Sequence, residues 1–106
     1  LITEADCIPD HYSKDINGKI IAIDPKVLKP EFQRADRQLY YVTGGFGASA
    51  NSRGSAVFCT NLHTGKSTRY ERMDVMGEVK PERLPEWAKE KAQELLHKKR
   101  NKDKER

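Results

Sequence analysis

The sequence predicts a small α+β domain: a mostly antiparallel, twisted sheet of four to five strands, flat or curled into a partly open β-barrel, followed by a C-terminal amphipathic helix. Three observations carry this. Short β-branched and aromatic runs recur between turn signals, as they do when a chain returns repeatedly to one sheet. The longest segment with helical spacing lies near the end. With 106 residues, 36% apolar and 34% charged, the chain has enough material for one core and no more.

Residues 1–17 have mixed polarity with Pro9 among them, and read as an irregular arm or a short edge strand. Asn17-Gly18 is a strong turn signal. The β-branched run Lys19-Ile20-Ile21-Ala22-Ile23 that follows is closed by Asp24-Pro25, which makes it the first secure strand. Residues 27–37, punctuated by Pro30, form a connector with room for one helical turn. Gln38-Leu39-Tyr40-Tyr41-Val42-Thr43 fits a pleated surface and stops at Gly44-Gly45.

Four of the seven glycines fall between Gly44 and Gly54, so this segment is a turning loop between strands. The next strand, Ser55 to Leu62, contains Ala56-Val57-Phe58-Cys59, an apolar run without alternation that suits a central strand covered on both faces. His63-Thr64-Gly65-Lys66 is a hairpin loop and Ser67 to Arg72 the returning strand. Met73, Val75, Met76 and Val79 continue an apolar pattern interrupted by Gly77, which signals a bulge or a bend into one more strand.

The last helix starts near Pro85, a residue suited to the first helical position. Leu84, Trp87, Ala88, Ala92, Leu95 and Leu96 share one broad face. Nothing apolar follows His97, so residues 98–106 are expected to fray into a basic tail outside a single domain of residues 18–97.

Charge is unevenly distributed. Residues 1–88 carry twelve Lys/Arg and twelve Asp/Glu, whereas residues 89–106 carry eight and four, so the net +4 resides entirely at the end. A positive end on a neutral body matches phosphate or an acidic partner, although a solvated helix end has the same composition. No run approaches the ~18 apolar residues of a membrane span and no signal segment is visible. No membrane association and a cytoplasmic location are therefore expected. The chain begins at Leu1 without methionine, as a processed chain or an excised piece of a longer one would.

Three chemistries are weighed and set aside. Cys7 with His11 and Cys59 with His63 have the donor types of a zinc site. Four residues of extended strand, however, span roughly 13 Å, while ligands of one zinc approach within about 4 Å. Gly45-Phe46-Gly47-Ala48-Ser49-Ala50 matches a relaxed dinucleotide fingerprint, but a strand rather than a helix follows it. No histidine sits where it would activate a nucleophile. No enzyme activity, metal or cofactor is expected.

Nucleic-acid binding has more support. Thr68-Arg69-Tyr70-Glu71-Arg72 places Tyr70 and Arg72 on one face and Arg69 on the other, with Arg53 projecting from the glycine-rich loop and Lys66 from the turn. Sheets grip single strands with such basic and aromatic groups, and Lys98, Lys99, Arg100 and Lys102 would add phosphate affinity. The competing reading makes Tyr40, Tyr41 and Tyr70 core residues, with Glu71, Asp74 and Glu78 diluting the charge.

The motifs Tyr41-Val42-Thr43-Gly44-Gly45-Phe46-Gly47, Arg53-Gly54-Ser55-Ala56-Val57-Phe58, Thr64-Gly65-Lys66, Arg69, Arg72-Met73-Asp74, Gly77 and Leu84-Pro85-Glu86-Trp87-Ala88 span roughly residues 38–95. Over that stretch the chain resembles an uncharacterised family of small proteins and domains carried on conjugative and phage-like elements of gut Firmicutes. The resemblance implies cargo of a mobile element and transfers no active residue. Two roles stay open: an accessory module binding DNA or RNA, and a module or inhibitor acting on a host or element-encoded protein.

Overall fold

The computed structural model describes residues 1–9, 14–50 and 53–104, with side chains described up to residue 95. The β-branched and aromatic runs become strands β1 (Cys7–Pro9), β2 (Ile20–Ile23), β3 (Leu39–Gly44), β4 (Ala56–Asn61), β5 (Ser67–Glu71) and β6 (Val75–Val79). They form one antiparallel six-stranded sheet in the order β1-β6-β2-β3-β4-β5. β1 and β5 end the sheet without meeting, so it is open rather than a barrel. The strand beyond the expected four or five is β1, which pairs Cys7 with Val79 and Pro9 with Gly77. Pro9 has no N–H to donate, and an edge strand is where a sheet tolerates that.

Between β2 and β3 the chain crosses in short turns. The Asp24 side chain accepts the Lys26 N–H at 2.9 Å ahead of the Pro25–Val27 3-10 turn. A single α-helical turn, α1 (Ala35–Gln38), precedes β3. The C-terminal helix α2 (Glu86–Lys104) begins one residue after Pro85, whose carbonyl accepts from Ala88 and Lys89 at 3.0 and 3.1 Å. No described helix is long and apolar enough to cross a membrane.

Alternation along the strands divides the core in two. Ile21, Ile23, Tyr40, Val42, Val57, Cys59 and Val75 point to one side, where Ile16, Ala48 and Leu28 from the connecting loops cover them. Ala22, Leu39, Tyr41, Leu62 and Val79 point to the other, under Leu84, Trp87, Ala88 and Leu95 of the C-terminal segment. Ile21, Ile23 and Leu39 are fully buried, and each contributes roughly 1.5–3 kcal/mol by leaving water.

The sheet has two irregularities. Between β2 and β6 the pairing steps from Ala22↔Gly77 to Ile23↔Val75, leaving Met76 as the extra residue. One inserted residue reverses side-chain parity, so Val75 joins the loop-covered core and Val79 the helix-covered core. The bulge signalled by Gly77 is thus present. Gly77 has φ +149°, and a Cβ there would lie 2.3 Å from the Ile8 carbonyl oxygen. A second step separates Val42↔Cys59 from Gly44↔Phe58. Coverage of β4 differs from expectation: Val57 and Cys59 are buried, but Phe58, on the opposite face, is 49% exposed. Leu95, Lys91 and Glu94 of the helix border the β4–β5 turn rather than Phe58.

Of the three buried polar side chains among the described residues, Gln38, Asn61 and Arg72, the first and last tie the segments around β2 together. Gln38 accepts the Ile2 N–H at 2.9 Å and donates to the carbonyls of Ile2 and Ile23 at 2.9 and 3.1 Å. Arg72 donates to the carbonyls of Gly47 at 2.8 Å and Lys14 at 2.9 Å. Each side chain thereby supplies donors to carbonyls of two separate segments of the chain.

Gly77→Ala is expected to cost about 2–4 kcal/mol, because alanine meets both an unfavourable φ and the Ile8 carbonyl. Urea unfolding reads the loss, and native-state hydrogen exchange shows it as early opening of the β1–β6 pairing. Unchanged exchange at Cys7 and Val79 would contradict this assignment.

Candidate nucleic-acid interface

β4 and β5 pair with Phe58 opposite Arg69 and Thr60 opposite Ser67. The Asn61 N–H donates to the Lys66 carbonyl at 2.9 Å, which makes Asn61–Lys66 a hydrogen-bonded pair. Alternation then makes Phe58–Arg69 a non-hydrogen-bonded pair, the kind whose side chains approach more closely. The turn is held by the Asn61 side chain, whose Oδ1 accepts the His63 and Thr64 N–H groups, each at 2.8 Å. His63 rests edge-on against Trp87, with ring centroids 5.6 Å apart. The helix therefore lies at the turn end of this face and leaves the end around Phe58 bare.

The bare end is rimmed by the glycine-rich loop. Phe46, in the single 3-10 turn Phe46–Ala48, is 79% exposed. Gly54 packs directly on it, since a Cβ at 54 would fall 2.3 Å from the Phe46 Cβ. This contact draws the far end of the loop back and puts Arg53 one residue from the Phe46 ring. Phe46 and Phe58, with Asn17, Gly45 and Ser49, line an open depression of about 420 Å³. Thr43 sits beside it and donates its hydroxyl to the Phe58 carbonyl at 3.2 Å. The side chain of Arg69 is 58% exposed and pairs with Glu71 at 3.0 Å. Glu71 also accepts a hydrogen bond from the Ser55 hydroxyl.

The structure separates the residues that the sequence grouped. Arg53, Lys66 and Arg69 are exposed. Arg72 is not: it is 4% exposed, with its guanidinium on the Gly47 and Lys14 carbonyls. Alternation does place Arg72 on the face of Tyr70, and its N–H still pairs with the Ser55 carbonyl at 2.8 Å, but that face is the one the connecting loops cover, so the side chain points inward. Tyr70 is committed as well. Its ring packs edge-on against Tyr40 at 5.3 Å, and burial, helped by a hydrogen bond with the Tyr40 hydroxyl, holds its phenol well above the usual range. Lys98, Lys99, Arg100 and Lys102 are placed only by their position on α2, because their side chains lie outside the described residues.

Phe46 and Phe58 were missed as surface groups. Phe58 stands in an apolar run and reads as core. Phe46 carried a usable signal, a lone aromatic with a glycine on either side.

The Cys/His set does not assemble among the described residues. Cys7 and Cys59 belong to opposite faces, and β1 and β4 are four strand spacings apart, roughly 19 Å at about 4.8 Å each. His11 lies outside the described residues. No group of three or more His, Cys, Asp or Glu with metal-ligand geometry occurs among those described. Burial pushes the Cys7 thiol up to about 11 and the Cys59 thiol up to about 12. The glycine-rich loop leads through one 3-10 turn to β4, so no helix N-terminus faces it.

No protein-family model matches the chain, and neither a curated protein nor a solved structure matches it.

Arg72→Met is expected to lose about 2–4 kcal/mol by stranding two carbonyls. Arg72→Lys should recover little, since a single ammonium lacks the fork that spans them. Denaturation midpoints at constant m-value make the comparison, and a lysine variant as stable as the parent would show that charge alone suffices.

The thiols give a second expectation. Below their ordinary value of 9.0 both thiols are protonated in either state and leave stability unchanged. Above it the unfolded chain sheds protons that the folded one keeps, so stability falls as pH rises from about 9 toward 11. The same burial should keep both thiols silent toward an aromatic disulfide reagent until the protein unfolds. Rapid labelling of native protein at neutral pH would refute it.

Proposed function

We propose that this domain is an accessory nucleic-acid-binding module of a mobile genetic element, contacting phosphates through Arg53, Lys66 and Arg69 and through the basic end of α2. The observation that carries the reading is Arg69, exposed on a sheet face that the helix leaves bare, beside Phe58 and the hydroxyls of Thr60 and Ser67. Phosphate oxygens accept from guanidinium and hydroxyl donors of this kind, and each contact releases counterions from the strand. Glu71 is held by Arg69 and Ser55, and a phosphate would compete with it for the Arg69 guanidinium. Lys98, Lys99, Arg100 and Lys102, further along α2, would add phosphate contacts. The two buried thiols and His63 against Trp87 favour binding over catalysis.

One observation favours the second reading, a protein-binding module. Among the described residues no strand lies outside β5, and an extended peptide could add to that edge. The edge is short, and the Asp74 carboxylate already takes the Glu71 N–H at 3.1 Å. That arrangement blunts the edge, and the nucleic-acid reading is preferred.

Binding of a labelled oligonucleotide, followed by fluorescence anisotropy across a salt series, tests the proposal. Affinity should fall steeply between about 50 and 200 mM salt. Arg69→Ala should weaken binding regardless of sequence and lower the log–log salt slope by about 1. A triple Lys98, Lys99, Arg100 to alanine variant should lower it by more. Absence of binding at the lowest salt would sink the reading.

A further inference from the structure

We infer that the ligand is single-stranded and that one unpaired base enters the depression lined by Phe46 and Phe58. The inference rests on the nucleic-acid reading and adds what the ligand must be.

The argument begins with why two aromatic rings are in water at all. Phe58 lies in a strand whose neighbours Val57 and Cys59 are wholly buried, and Phe46 in a loop where Gly47 and Ala48 are buried. Each ring is the one large apolar side chain left out of its segment. The Gly54 contact holds the Phe46 segment against the far end of its own loop, and Phe58 is fixed by the ladder on both sides. The two rings are therefore presented by backbone that is itself held in place. The space they bound, about 420 Å³, falls in the range of small-ligand sites, about 300–1,000 Å³.

The surroundings select the occupant. An apolar peptide side chain would be satisfied by the rings alone. Here Asn17 and Ser49 are among the lining residues. Two exposed cations lie outside the depression but next to its aromatic residues: Arg69 pairs with Phe58 across β4–β5, and Arg53 precedes Gly54, which packs on Phe46. Asn17 is oriented by Asp15, whose Oδ1 accepts both its backbone N–H at 2.8 Å and its side-chain amide at 3.0 Å. This leaves the Asn17 Oδ1 as an acceptor for an N–H on a base edge. A flat apolar floor, a hydrogen-bonding edge and flanking cations fit a nucleobase and its adjoining phosphates. A duplex cannot use them, because its bases keep their faces stacked and out of reach of the rings.

The test compares a single-stranded oligonucleotide, the same sequence as a duplex, and the single strand carrying abasic sites, against the intact chain and its Phe46→Ala, Phe58→Ala, Phe58→Trp and Arg69→Ala variants. Expected results are preference for the single strand over the duplex, weakening at abasic sites, and a loss of about 5- to 100-fold for each alanine variant. The salt slope should not change on removing either ring, and Phe58→Trp should retain affinity. Phe46 is 79% exposed, so Phe46→Ala should melt with the parent; Phe58 is half-buried, so binding by Phe58→Ala is measured well below its own melting transition. Equal binding to duplex, or alanine variants at parental affinity while Arg69→Ala still weakens binding, would overturn the base slot and leave the phosphate-binding reading standing. No binding to any of the three ligands would remove both.

Discussion

The structure depends on a covering problem: β2 and β3 are buried on both faces, and the chain has one long helix with which to cover them. Ile21, Ile23 and Val42 cannot be left in water on one side, nor Ala22, Leu39 and Tyr41 on the other. The helix takes the second set. The first is covered by connecting segments, through Ile16, Leu28 and Ala48. Loops brought over a core carry backbone polar groups with them, and each such group must find a partner.

That requirement explains two of the three buried polar side chains among the described residues. Gln38 stands where the N-terminal segment crosses the end of β2, and its amide both donates and accepts there. Arg72 stands where the glycine-rich loop and the segment before β2 come together, and one guanidinium reaches a carbonyl in each. Neither residue extends the apolar core. They allow irregular backbone to lie over it, in the way that a second helix would have done with its own internal hydrogen bonds.

Covering is also what leaves the candidate site open. One helix shields Leu39, Tyr41 and Leu62, with Trp87 against His63 and Lys91, Glu94 and Leu95 along the β4–β5 turn. The other end of the same face keeps Phe58 and Arg69 in solvent, and the glycine-rich loop supplies Phe46 as a rim. The bulge at Met76 does the complementary work at the other side of the sheet, switching β6 from one core to the other so that both Val75 and Val79 are covered.

By itself the sequence determined the elements. The β-branched run at Ile20–Ile23, the hairpin around Gly65, the break at Gly77 and the Trp87 helix are each dictated by local chemistry, because strand period, turn residues and helix spacing are properties of neighbours along the chain. The placement of Arg53, Lys66 and Arg69 at the surface was legible for the same reason. Tertiary structure decided what depends on distant partners. It added β1 as a sixth strand, since three residues with a proline become a strand only when β6 offers an edge. It put Arg72 inside, because carbonyls of Gly47 and Lys14 are far from it in sequence and close in space. It put Phe58 outside, because an apolar residue on a strand is buried only where another layer reaches it, and how far the helix reaches is written in no single segment.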